Sequence, residues 1–271
     1  MRNIIVGRHS RSRIEYAKTI TWYDFCFNQL SHFYNIQTDY AFTKFIYNNI
    51  DKNQDNNLFK KYKYGLSTPQ NEWIEIVASK IIGSAEILNH QIWSDLKNQP
   101  QDEELILIQL RKLPINITEA LLDQNFYSMR EFNKEDIINI AQFSSLDSLS
   151  TLYLLHRWGY TIGSHALIND CNSIILKSLD QIVKANSHLE RSHVLLFDEL
   201  FEQIFAINTM GYNRPLKVKF NWRQYREKDW SKDIKNLSVQ EENILATHPQ
   251  ITQFINSPNM DFAAFHKSLF G

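Results

Sequence analysis

The stretch Asn56–Ile81, "NNLFKKYKYGLSTPQNEWIEIVASKI", decides how the rest of the chain is read. At 100° per residue, a helix over Gln54–Tyr64 gathers Leu58, Phe59 and Tyr62 on one side, a natural buried face. Its opposite side carries Asn53, Gln54, Asn57, Lys60, Lys61 and Tyr64, and no acid. Gly65 is suited to the left-handed conformation that ends a helix, because it has no Cβ to clash. Thr68 followed by Pro69 fits the N-cap and first-turn positions of a second helix. That helix, Pro69–Ile82, is expected to bury Trp73, Ile74, Val77, Ala78 and Ile81. The stretch therefore reads as helix, tight turn, helix.

The outward groups of the first helix suit nucleic acid. Asparagine and glutamine can bond adenine through two hydrogen bonds, and lysine can pair with guanine acceptors or phosphate. A plain solvated face would use the same residue types. The arrangement resembles the helix-turn-helix of phage-repressor (Cro-like) DNA-binding domains. In those domains a recognition helix ends at a glycine, a proline follows four residues on, and the next helix carries Leu, Ile–Ala and Leu in order. Here Gly65 and Pro69 keep the spacing, while Ile74, Val77–Ala78 and Ile81 take the apolar positions. The resemblance implies that Thr38–Asn49 is a supporting helix and that Asn53–Tyr64 includes a recognition helix. It spans about 45 residues. The segment between those helices, "NNIDKNQDNN", departs from the short turn of that family.

Working outward, the apolar spacing predicts helices from Arg13 to Phe33 and from Thr38, as N-cap, to Asn49. Others are expected at 85–96, 117–131, 134–143, 146–158, 164–185, 189–209 and 238–247. "ELILIQLRKL", beginning at Glu104, is ambiguous between a short strand and a buried helix. With seven glycines and six prolines in 271 residues, turns are few, which favours helices over a sandwich or barrel. The expected fold class is mainly α. The expected organisation is a helix-turn-helix-like domain over 1–98 with a basic N-terminal arm (Arg2, Arg8, Arg11, Arg13), a linker at 99–105, and a helical domain over 106–271.

A second candidate surface is "RPLKVKFNWRQYREKDWSKDIK", residues 214–235. Eight basic residues stand against three acids, an excess of five, with Phe220, Trp222, Tyr225 and Trp230 interleaved. Bases and aromatics together suit a nucleic-acid track, and Arg223 and Arg226 are its candidate contacts. The net charge of −1 supplies no global attraction, so such binding must be local.

Catalytic signals are sparse. Glycines stand at 7, 65, 83, 159, 163, 211 and 271, which leaves no glycine-rich phosphate loop. His188 and His193 are five apart and are read as solvent or interface residues rather than a metal pair. Cys26 and Cys171 read as reduced, buried thiols, and Cys171 near His165 and Asp170 is a less favoured nucleophile arrangement. "HRWGYTIGSH", His156–His165, reads as a tight corner that could border a pocket. No cofactor or metal is expected. Short apolar runs and no leader pattern point to the cytoplasm and away from membranes. The expected function is binding to double-stranded DNA, as a transcriptional regulator or an accessory factor of a mobile-element or defence system. Two alternatives stay open: a helical adaptor for a protein partner or homodimer, and an enzyme with a site near His156 or His165.

Overall fold

The computed structural model describes residues 11–47, 57–204, 206–207 and 216–217. They are mainly helical: α1 (Arg13–Tyr34), α2 (Asp39–Tyr47), α3 (Leu58–Lys63), α4 (Asn71–Lys80), α5 (Ser84–Leu88), α6 (Gln91–Asn98), α7 (Glu103–Leu110), α8 (Ile115–Leu121), α9 (Lys134–Gln142), α10 (Leu146–Thr161), α11 (His165–Ala185) and α12 (His193–Ile204). A single 3-10 turn covers Ser187–Leu189, and Ala206–Ile207 pairs antiparallel with Leu216–Lys217. No helix among the described residues is long and apolar enough to cross a membrane.

Most of the helix boundaries follow local chemistry. Ser12 Oγ accepts from the Glu15 N–H and starts α1, and Thr38 Oγ1 accepts from Ala41 N and starts α2. Asn133 and Ser145 each make a two-way capping box at the starts of α9 and α10. After α10 the chain turns at Gly163, at φ +69°, with Ser164 N bonded to Gly159 O and Gly163 N to Tyr160 O. This is the Schellman pairing, and it makes the corner expected at 156–165.

Three expectations change. The 85–96 helix is two, α5 and α6, because His90 Nδ1 accepts from Ile92 N and caps a new helix there. The 117–131 helix stops at Leu121. Asp123 then accepts from Tyr127 N and Ser128 Oγ, and an isolated bridge joins Leu122 to Met129. A side chain that bonds its own backbone competes with helix. "ELILIQL" is helical as α7, with Asp102 as its cap. The region 238–247 lies outside the described residues.

Of the linker expected at 99–105, residues 99–102 form a short pinned turn within one unit and 103–105 already belong to α7. Arg157 donates to Pro100 O (3.1 Å) and Thr161 to Gln101 O (3.1 Å). Helices on its two sides also pack together, α1 on α12 and α6 on α10. The chain divides instead into Met1–Val218 and Lys219–Gly271, and the described residues belong to the first unit.

The α1–α5 region buries an aromatic-rich core: Trp22, Tyr23, Phe42, Phe59, Tyr62 and Trp73 with Cys26, Leu30, Ile46, Val77 and Leu88. Further along, α10 is buried on nearly every side and packs against α6, α7, α9 and α11. A helix so enclosed must satisfy its polar groups internally. Accordingly Thr151 Oγ1 bonds Asp147 O (2.7 Å), Tyr153 Oη donates to Gln203 Oε1 (2.5 Å), and Ser150 donates to Asp95.

Candidate nucleic-acid interface

The helix–turn–helix stretch folds as two helices separated at Gly65. Phe59 and Tyr62 anchor α3. The Phe59 ring meets Phe42, Tyr47, Tyr62 and Trp73 edge-on, with centroids 5.3–5.7 Å apart. Gly65 sits at φ +66°, with Leu66 N bonded to Lys61 O (2.8 Å) and Gly65 N to Tyr62 O (2.9 Å), a second Schellman pairing. The glycine also presses on α1: a Cβ there would stand 2.9 Å from Tyr16 Cδ1 and 3.2 Å from Tyr16 O.

The second helix is shorter than expected. It begins at Asn71 rather than Pro69, because Thr68 is taken by another partner. Thr68 Oγ1 accepts from Arg11 (3.0 Å), and the same guanidinium donates to Gly65 O, Glu15 O (3.0 Å) and Thr19 Oγ1 (3.0 Å). Arg11 thus ties α1, the turn after α3 and the approach to α4 into one piece. Of the expected buried stripe, Trp73, Val77 and Ile81 are buried, whereas Ile74 and Ala78 are half-buried.

This changes the reading of the basic arm. Arg11 is committed inside the fold, and Arg13 pairs with Glu202 (2.5 Å). Arg2 and Arg8 lie outside the described residues. Replacing Arg11 by Met keeps the apolar stem and removes four charge-assisted bonds. A loss of about 1.5–3 kcal/mol in unfolding free energy is expected by urea titration. A change within a few tenths would mean the clamp is redundant.

Of the eight candidate contacts, Asn57, Lys60, Lys61 and Tyr64 are described, and all four are exposed on or beside α3. Asn53, Gln54, Arg223 and Arg226 lie outside the described residues. Asn57 stands at the N-cap position of α3 instead of mid-helix. Lys60 has no partner among the described residues.

Lys63, on the flank of the same helix, is used internally. It bonds Asp39 (2.6 Å), which also accepts from Tyr23 Oη (3.0 Å), while Arg191 bonds Asp24 (2.8 Å) and Lys63 O (2.6 Å). Burial works to raise the Asp39 carboxyl, but Lys63, Tyr23 and Arg191 together hold it below the usual carboxylate range. Burial keeps the Asp24 carboxyl above that range in spite of Arg191. These residues, with Phe27, Asn28, Gln37, Ser187 and Glu190, line a groove of about 430 Å³. Three carboxylates face two cations there, so a phosphate would be repelled from this flank. Sequence periodicity could not separate Lys63 from its neighbours, because Asp39 is 24 residues away.

The residues considered for catalysis do not assemble. His156 is fully buried and packs edge-on to Tyr160 (5.0 Å), and burial pushes its imidazole down to about 3. His165 is exposed at the start of α11. Cys171 is buried, and burial raises its thiol well above the ordinary range. His193 is buried, with Nδ1 bonded to Glu190 O (2.6 Å), and His188 packs edge-on to Phe25. Burial lowers the His188 imidazole to about 4. Of the two histidines read as solvent or interface residues, His193 is buried and His188 is half-buried. Among the described residues no group of three His, Cys, Asp or Glu could hold a metal ion.

Comparison with protein-family models, curated proteins and solved structures finds no match to this chain.

Proposed function

We propose that this protein binds nucleic acid through the outward face of α3, with Lys60 and Lys61 meeting the phosphate backbone of duplex DNA. One observation carries the reading. The helix shows the exposed side chains of Lys60 and Lys61, with Tyr64 exposed at its C-cap, and contains no acid. Its inner face is fixed by Phe59, Tyr62 and the Gly65 turn. A rigid mount lowers the entropy cost of holding cations against a phosphate track. The neighbouring carboxylate-lined groove restricts the approach to one side, which favours a defined docking geometry over diffuse attraction. Regulation of transcription, or an accessory role on mobile or invading DNA, is the wider setting we assign to such binding.

The test is fluorescence anisotropy with labelled random duplex over a salt series. Lys60→Ala with Lys61→Ala should weaken binding and lower the slope of log affinity against log salt by about 2, roughly one per lost phosphate contact. An unchanged slope would remove these lysines from the phosphates, and no binding at low salt would end the reading.

A second reading, a helical protein–protein adaptor, has its own observation. Phe33, Tyr34 and Tyr40 are 68%, 59% and 77% exposed around the turn from α1 into α2. Exposed large apolar groups close together in sequence mark contact surfaces when they form a patch. Concentration-dependent sedimentation that Phe33→Ser abolishes would favour this reading in its homodimer form.

A further inference from the structure

The groove beside α3, at about 430 Å³, is within the size range of small-ligand sites. Its charges do not balance. Lys63 stands opposite Asp39 (2.6 Å) and Arg191 opposite Asp24 (2.8 Å), so both cations are engaged. The third carboxylate belongs to Glu190, which is exposed and faces no cation of its own among the described residues. Glu190 also acts on Asp24: burial is the main cause that lifts the Asp24 carboxyl, and the Glu190 charge adds to it. One uncompensated negative charge is therefore felt across the groove.

The uncharged groups there have the same polarity. Asn28 Nδ2 donates to Ser187 Oγ (3.2 Å), and Gln37 Nε2 donates to Ser31 Oγ (3.2 Å) and Asn35 Oδ1 (3.2 Å). With their nitrogens engaged, both amides present their oxygens as acceptors. Neither Asn28 Oδ1 nor Gln37 Oε1 has a donor among the described residues. Phe27, half-buried and stacked on Tyr23 with the rings 6.2 Å apart, adds an aromatic wall.

We propose that this groove binds a guanidinium cation, carried either by a small free molecule or by an arginine side chain of a polypeptide. A guanidinium is flat and bears N–H donors around its edge. It can fork onto the Glu190 carboxylate, donate to an amide oxygen and lay its face against the Phe27 ring. An ammonium holds its water more tightly and has no planar face, so it suits the groove less well. The site does not depend on the action of α3 on DNA, since Lys60 and Lys61 are not part of its lining.

The experiment is a chemical-shift titration of the nitrogen-15-labelled full chain with methylguanidine, methylammonium and an end-blocked Gly-Arg-Gly peptide, at constant ionic strength. The side-chain amide signals of Asn28 and Gln37, assigned from Asn28→Ser and Gln37→Ser, should shift saturably with methylguanidine and several-fold more weakly with methylammonium. Glu190→Gln keeps the shape and removes the unpaired charge, and it should weaken methylguanidine binding about fivefold, the scale of one exposed charge contact. Glu72→Gln, the same charge change on α4 outside the groove, should leave binding unchanged. Peptide binding at least as tight as that of methylguanidine identifies an arginine side chain as the ligand, and binding of methylguanidine alone identifies a free guanidinium compound. The proposal is overturned if neither guanidinium probe gives a saturable shift. It is equally overturned if methylammonium binds as tightly, or if the two glutamate variants change binding by the same factor.

Discussion

Phe59→Ala should remove about 3–5 kcal/mol of stability, the range for emptying a buried aromatic site. The side chain is 1% exposed at the centre of the first core. It makes edge contacts with the rings of Phe42, Tyr47, Tyr62 and Trp73. Each such pair is worth about 0.5–1.5 kcal/mol beyond burial. The four partners come from α2, α3 and α4, so the void would open where three helices meet and could not close by moving one of them. Because α3 is only six residues long, it has almost no stability of its own. The variant should therefore also lose any binding that depends on Lys60 and Lys61. Urea denaturation measures the first effect and anisotropy the second. A cost below 1 kcal/mol would show that the helices are not assembled around this ring.

The second large effect is expected at Gly65. Gly65→Ala combines two penalties. A φ of +66° costs a residue with a Cβ about 1–2 kcal/mol. The new methyl would also stand 2.9 Å from Tyr16 Cδ1 and 3.2 Å from the Tyr16 carbonyl oxygen. Overpacking of that kind adds about 1–3 kcal/mol, for a total of about 2–5 kcal/mol. Gly163 separates the two contributions. It has a similar φ of +69°, yet a Cβ there would meet nothing within 4 Å. Gly163→Ala should show the backbone penalty alone, and the difference between the variants measures how closely the turn is held against α1. Equal losses would mean that Tyr16 moves aside without cost.

Those two glycines show how legible the fold was. Each follows a helical stripe and marks the end of one. The necessary information lies within five residues, since only a residue without a Cβ enters the left-handed region easily. The caps Thr38, Asn133 and Ser145 work the same way, through a side-chain oxygen that meets an N–H two or three residues on. The apolar stripe of α4 was legible at Trp73, Val77 and Ile81. Ile74 and Ala78 were not, because the width of a buried face depends on which neighbour covers it.

The candidate interface was legible only as a set of residue types. Lys60 reads the same way as Lys63 along the chain, but Lys63 is spent on Asp39, as Lys80 is on the carbonyls of Phe45 and Ile46. Arg11 looked like part of a solvated arm and is the clamp of the helix–turn–helix stretch, with partners up to 57 residues away. Asp95 carried no signal at all, since its partner Ser150 is 55 residues distant.

Helix content, the main ends of the helices and the apolar faces were thus set by the sequence alone, through interactions that span a few residues. The tertiary structure alone decided which charges remain outside, that 99–105 is no boundary, and that a carboxylate lies buried between α6 and α10. The physical reason is range. A cap or a stripe acts within one or two turns of its own helix. The burial and pairing of a charge depend on what the fold brings against it.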